Sequence, residues 1–506
     1  MFTLRPGKLS IDDIVLLLDS EQEIKLIPSA YEAIKKSYKI VQEVILKGET
    51  VYGVNTGFGL LANKKIDNHR LKELQKRIIL SHAAGTGSYL NKDIVRLIML
   101  LKINSLSRGY SGVSVKLVDK LIEIYNSGII PLIPEQGSVG ASGDLAPLAH
   151  MSMVLIGQGQ VLLNGAEISS EQALKLKNIK PIELGEKEGL SLINGTQVST
   201  AIAILGLIYV KRNFSIATIS GAMSIEAIAG SVKPFQRFIG IAKNCQGQML
   251  FSKTINELLE GSEILESHKN CGRVQDPYSM RCQGQVMGAI WNYLASAQEN
   301  LLNEANGVSD NPLVDPEMGI IVSGGNFHAE KTGFSADLMA ILCSEIGAIS
   351  ERRIALLIDS HLSGLPAFLV NESGLNSGFM IAHVTASALA SENKTWAHPA
   401  TVDSIPTSAN QEDHVSMATF AAVKLLKIAE NVLQILAIET LAACQGIDFR
   451  APLKTSSFLI NKVKTIRNKI PFYDQDRYFA IDIANCAKLI KEQDYYKEIQ
   501  DKVFNV

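Results

Sequence analysis

The stretch Gly137-Ser-Val-Gly-Ala-Ser-Gly-Asp-Leu-Ala-Pro-Leu-Ala-His150 places small residues, a hydroxyl and a carboxylate in one loop that runs into a helix at about Asp144. Its core, Ala141-Ser142-Gly143, permits unusual chemistry. The amide nitrogen of Gly143 can attack the carbonyl carbon of Ala141 and close a five-membered ring through Ser142. Small residues on both sides tolerate the compressed backbone. Loss of one water at the carbonyl and a second from the Ser142 hydroxyl leaves an exocyclic methylidene, which is a strong electrophile. The plain alternative is a tight turn in which Asp144 caps the helix.

Other pattern matches lack their structural context. Gly57-Phe-Gly59-Leu-Leu-Ala62 fits a dinucleotide-binding glycine pattern, but no acidic residue lies ~20 positions on and no βαβ unit follows. Gly140-Ala-Ser142-Gly-Asp144 misses the last glycine of a nucleophile elbow. The nine histidines are scattered and no HExxH occurs, so no metal site is expected. Six cysteines stand without a CxxC pair, which disfavours a zinc ribbon or a thioredoxin-type site.

The elements that must position this loop read as helices. Ser29 and Glu32 form a candidate capping box, followed by Ile34, Tyr38, Val41 and Ile45 at helical spacing and a stop at Gly48. Asn91 predicts the start of a second helix, and Ser114, with Gly128 as the stop, predicts a third. Periodic stretches follow at about 197–230, 284–305, 334–358 and 413–445. The last has no proline or glycine until Gly446, which suits the centre of a bundle or a helix packed across a subunit interface. Strand signals are few; Val154-Leu-Ile and Val161-Leu-Leu, around Gly157 to Gly159, predict one small hairpin. The fold class is therefore mainly α, a long central helix bundle with an N-terminal region carrying the Ala-Ser-Gly loop. The expected division is 1–200 and 201–506.

Composition agrees with a folded chain. Of 506 residues 46% are hydrophobic and 20% charged, and 49 basic against 51 acidic side chains give a net charge of −2. Disorder is excluded and a nucleic-acid surface is disfavoured. The longest apolar run, Ala201 to Val210, stops at Lys211 and Arg212, so no membrane span is expected. The start lacks a basic segment followed by an apolar one, which predicts a cytoplasmic protein with reduced thiols.

Seven stretches, in order, resemble the aromatic amino-acid ammonia-lyases and match their histidine-specific branch most closely. They are the Gly137–His150 loop, Tyr52–Gly59, Ser81–Gly85, Asn194–Gln197, Gln275–Arg281, Ser323–Glu330 and Thr407–Ser416. The likeness runs from about residue 5 to 455. It implies a 4-methylideneimidazole-5-one (MIO) group formed autocatalytically from Ala141, Ser142 and Gly143, with no diffusible cofactor. The implied reaction converts L-histidine to trans-urocanate and ammonia. Either the substrate amine or its ring could attack the electrophile. The implied assembly is a homotetramer with shared active sites.

By the same resemblance, Tyr52 is the base for the β-hydrogen. A phenol becomes a useful base only when nearby positive charge, such as a helix end or Arg281, favours the phenolate. Arg281 resembles the substrate-carboxylate clamp, since a guanidinium fork matches a carboxylate. Tyr278, Asn194 and Gln275 resemble the polar shell that orients substrate and MIO, and Phe327 an aromatic wall. His82 and Glu412 resemble the pair that holds an imidazole; Glu412 can accept a hydrogen bond from the imidazole N–H or receive a proton from the ammonium. A pocket for phenylalanine has no use for a buried carboxylate, so this pair favours histidine. A tyrosine or phenylalanine ammonia-lyase, or an MIO-dependent aminomutase, shares the electrophile and stays open as the alternative. Gly284 and His383 depart from the proline and glutamine usual in the family.

Overall fold

A computed structural model describes residues 1–57, 59, 63–268 and 274–504. Phe58 and Leu60 to Ala62, within the glycine patterns noted above, and Cys271 lie outside the described residues. The described chain contains 21 α-helices, and its strands are at most four residues long.

Several helix limits sit where capping chemistry predicts. Asn91 accepts a hydrogen bond from the Ile94 amide at 2.9 Å and opens Lys92–Leu106. Ser114 accepts from the Leu117 amide and opens Val115–Ser127, which ends at Gly128 with φ +75°. Each such side-chain cap contributes about 1 kcal/mol.

Two local expectations are corrected. The first long helix is Pro28–Lys47; Ile27 holds the cap position and no side chain caps it. Ser29 lies inside the first turn, because the fixed φ of Pro28 suits the first helical position better than a serine cap one residue later. It still ends at Gly48, with φ +71°. The hairpin is also displaced. Val154–Ile156 is a 3₁₀ turn, and the paired strands are Gln160–Leu163 and Ala166–Ser169. The turn between them is Asn164-Gly165, both at positive φ, the pair favoured in two-residue hairpins.

The chain forms two compact units. The first comprises Met1–Leu205, Gln298–Asp337 and Pro399–Val423; the second comprises Gly206–Ala297, Leu338–His398 and Lys424–Val506. In the first, the helix Lys92–Leu106 is buried on every face from Ile94 onward, and Lys187 pairs with Asp310 at 2.8 Å out of solvent. In the second, Glu439 is fully buried and accepts from Ser220 and Ser224 at 2.8 Å each and from the Arg353 fork. Pairing of that quality is what makes a buried charge tolerable.

Two helices, Gln197–Ala227 and Glu330–Ile358, prove long and apolar enough to cross a membrane, contrary to expectation. The Lys211-Arg212 pair interrupts the apolar run without spoiling a longer window. Of those windows 83% and 67% are buried, as in core helices of a bundle. The helix Ala418–Asp448 is buried all round from Ile435 to Ile447, which places it within the chain's own core.

Candidate active site

The Ala-Ser-Gly loop of the first unit is held from below by Asp144. This residue occupies the cap position of Leu145–Met153, yet its carboxylate does not cap that helix. One oxygen accepts from the backbone amide and hydroxyl of Ser199, at 2.8 and 2.9 Å. It thereby caps Gln197–Ala227, whose first amides have no helical partner. The other oxygen accepts from Ser138 at 3.0 Å and Thr419 at 2.6 Å. Ser138 in turn accepts from the Gly140 amide. One buried carboxylate therefore ties two distant segments, at Ser199 and Thr419, to the loop.

Above this anchor the backbone is crowded. Gly143 has φ +71°, and a Cβ there would lie 2.1 Å from the Gly195 carbonyl oxygen. Gly143 bridges to Gly195, and the Asp144 amide donates to the Gly195 carbonyl at 2.8 Å. Gly140, at φ +68°, leaves no room for a side chain beside Ser416. Only glycine fits either place.

Folding gathers several of the predicted residues around Ser142. Its hydroxyl donates to Glu412 Oε1 at 2.8 Å, and Thr407 donates to Oε2 of the same carboxylate at 2.8 Å. His82 is the last residue of Leu71–His82. Burial pushes its pKa down, opposed by a hydrogen bond with the Ile78 backbone and by the charge of Glu412. Asn194 is buried beside the Gly195 bridge, and its Oδ1 has no hydrogen-bond partner among the described residues. Its backbone carbonyl accepts from Lys102 at 2.7 Å, a lysine whose pKa burial pushes down to about 7.

Tyr52 lies in a loop pinned by Asn55, which bonds the Val51 amide and the Glu49 carbonyl. The Gly59 amide faces the Tyr52 hydroxyl at 3.4 Å. Phe327 is half-buried, just before the helix Glu330–Ile358.

Gln275, Tyr278 and Arg281 belong to the second unit. The Arg281 guanidinium stacks 4.6 Å from the Tyr278 ring centroid, and its buried Nε has no partner among the described residues. Tyr278 is 71% exposed, and Gln275 is exposed too. His383, one of the departures, bonds Glu351 at 2.8 Å in the second unit.

Sequence reasoning missed Asp144 as an anchor, because its partners Ser199 and Thr419 are distant in the chain. It also missed His328, Glu330 and His414, which converge in the first unit with candidate ligand atoms within 4.8 Å of one another. The local signal was a histidine two residues before a glutamate.

The sequence matches the aromatic amino acid lyase family over residues 9–468. A histidine ammonia-lyase of Idiomarina loihiensis is 55% identical over 491 residues, covering 97% of this chain and 96% of the relative. The crystal structure of histidine ammonia-lyase from Trypanosoma cruzi superposes with a TM-score of 0.92 at 38% identity, covering 99% of this chain and 96% of that one. The phenylalanine aminomutase of Pantoea agglomerans has a TM-score of 0.93 at 31% identity, covering 97% and 99%. The chain belongs to the aromatic amino acid lyase family. It is an enzyme of the lyase class, with the helical fold of that family.

Proposed function

We propose that the chain removes ammonia from L-histidine to give trans-urocanate, with an MIO group formed from its own Ala141, Ser142 and Gly143. The contact that supports this most is the Ser142 hydroxyl on the Glu412 carboxylate at 2.8 Å. After ring closure, elimination of that hydroxyl together with the Ser142 α-hydrogen releases the second water, and a carboxylate in direct contact can relay the proton that step requires. The crowding of Gly143 against Gly195 fits a loop compressed for attack of an amide nitrogen on a neighbouring carbonyl. When formed, the group supplies an electrophilic methylidene carbon for covalent capture of the substrate.

The chain's own side chains do the rest. Arg281 holds the substrate carboxylate, and its unpartnered Nε keeps one donor available. Tyr52 removes the β-hydrogen. Asn194 turns its unpartnered Oδ1 toward the substrate ammonium, and Gln275 and Tyr278 complete the polar shell. Glu412 accepts from the substrate imidazole N–H, His82 stays neutral beside it, and Phe327 covers the ring. The names of the 55% and 38% identical relatives support histidine as the substrate.

A cytoplasmic homotetramer with shared sites completes the reading. Exposed Tyr278 suits a side chain offered to another copy. Phe334, Ile341, Ile381, Val384 and Phe420 leave large apolar groups exposed on long helices, as subunit contacts require.

The test is ultraviolet detection of urocanate from L-histidine, with L-tyrosine and L-phenylalanine run in parallel. Urocanate from histidine alone is expected. An arylacrylate or a β-amino acid from another substrate, with none from histidine, would refute the assignment.

A further inference from the structure

We propose that His328, Glu330 and His414 form a binding site for one divalent cation of the zinc class, independent of which amino acid the enzyme consumes. His328 Nε2 lies 3.2 Å from the His414 backbone carbonyl. A carbonyl can only accept, so Nε2 carries the hydrogen and Nδ1 carries the lone pair. That Nδ1 is 3.7 Å from Glu330 Oε2, and His414 Nε2 is 3.9 Å from the same oxygen. The oxygen is buried and has no hydrogen-bond donor among the described residues. The two imidazole rings are stacked, 5.7 Å apart and within 9° of parallel.

The separations are too long for hydrogen bonds. Both nitrogen-to-oxygen distances are close to what a shared cation requires, since bonds of 2.0–2.2 Å in a tetrahedron hold ligand atoms roughly 3.4 Å apart, and the two nitrogens, within 4.8 Å of each other, would draw together on binding. Two imidazoles and one carboxylate form a zinc-type ligand set with a position left open, and their nitrogen donors select against Mg²⁺ and Ca²⁺. The bond from His328 Nε2 to a carbonyl is the outer support that ligating histidines characteristically have.

The cation would clasp two segments of the first unit. One carries Phe327 immediately before His328; the other carries Glu412 two residues before His414. An occupied site would brace the two segments that carry Phe327 and Glu412 against each other.

The test uses the full-length protein stripped of metal with a chelator and assayed without amino acid. Co²⁺ titration should give visible d–d absorption that saturates at one ion per chain, with Zn²⁺ displacing it and Mg²⁺ leaving it in place. His414→Ala removes a side chain that is 70% exposed, so its helical signal should match wild type while Co²⁺ affinity falls at least about 100-fold. Glu330→Gln should lose the band as well. Absence of the band in wild type would overturn the site, as would unchanged Co²⁺ affinity in His414→Ala, which would place the ion elsewhere, for example on Cys245 or Cys282.

Discussion

Asp144 gives a graded perturbation of the Ala-Ser-Gly loop. Its four donors come from Ser138, Thr419 and the amide and hydroxyl of Ser199. In Asp144→Ala the Ser199 amide stays buried in the first turn of Gln197–Ala227 without an acceptor, at about 1–3 kcal/mol. Loss of the carboxylate at that helix end adds ~0.5–2 kcal/mol. The loop geometry should therefore weaken by about 3 kcal/mol, which lowers the population of the compressed conformer roughly 100-fold. Asp144→Asn keeps one oxygen for Ser199, and the Ser138 and Thr419 hydroxyls can turn to accept from the new amide. Its cost should be near 1 kcal/mol, or roughly fivefold. The assay is intact mass of freshly made protein against time, following the fraction lighter by two waters. Ring closure should slow in the order wild type, Asn, Ala, with the Ala variant slowest by far. Equal rates for Ala and wild type would refute the anchoring role, and Asn as slow as Ala would show that the charge rather than the capping oxygen matters.

Two further outcomes follow from named contacts. Burial raises the Glu226 pKa to about 7 from the ordinary 4.5, so between those values the folded state holds a proton the unfolded state has lost, and stability falls as pH rises. That difference corresponds to roughly 3 kcal/mol; Glu226→Gln should leave urea stability unchanged at pH 4.5 and raise it at pH 8, and no gain at pH 8 would contradict the burial. Arg281→Lys should raise KM for L-histidine, because one ammonium cannot reproduce the fork that stacks on Tyr278. Michaelis plots with unchanged KM would remove Arg281 from the carboxylate clamp.

Helix ends were legible where a single side chain decides them. Asn91, Ser114, Gly48 and Gly128 act within one turn of their own position, and each sits at the limit predicted. Local competition misled elsewhere. Pro28 displaced the Ser29 cap, and Asn164-Gly165 outweighed the glycines at 157 and 159. The Ala141-Ser142-Gly143 loop was readable because its chemistry depends on adjacent backbone atoms. Its anchor was not, because the Asp144 carboxylate turns from its own helix to Ser199 and Thr419. His328 and His414, 86 residues apart, meet only in the fold, and residue type alone does not report that meeting.

The most direct test of the central claim is the intact mass of active wild-type protein beside Ser142→Ala. Wild type should weigh two waters less than its encoded chain and form urocanate from L-histidine. Ser142→Ala should have its full encoded mass, an unchanged helical signal and no turnover. A wild-type mass without that deficit in protein that turns over histidine would contradict the electrophile, and normal activity in Ser142→Ala would contradict it independently.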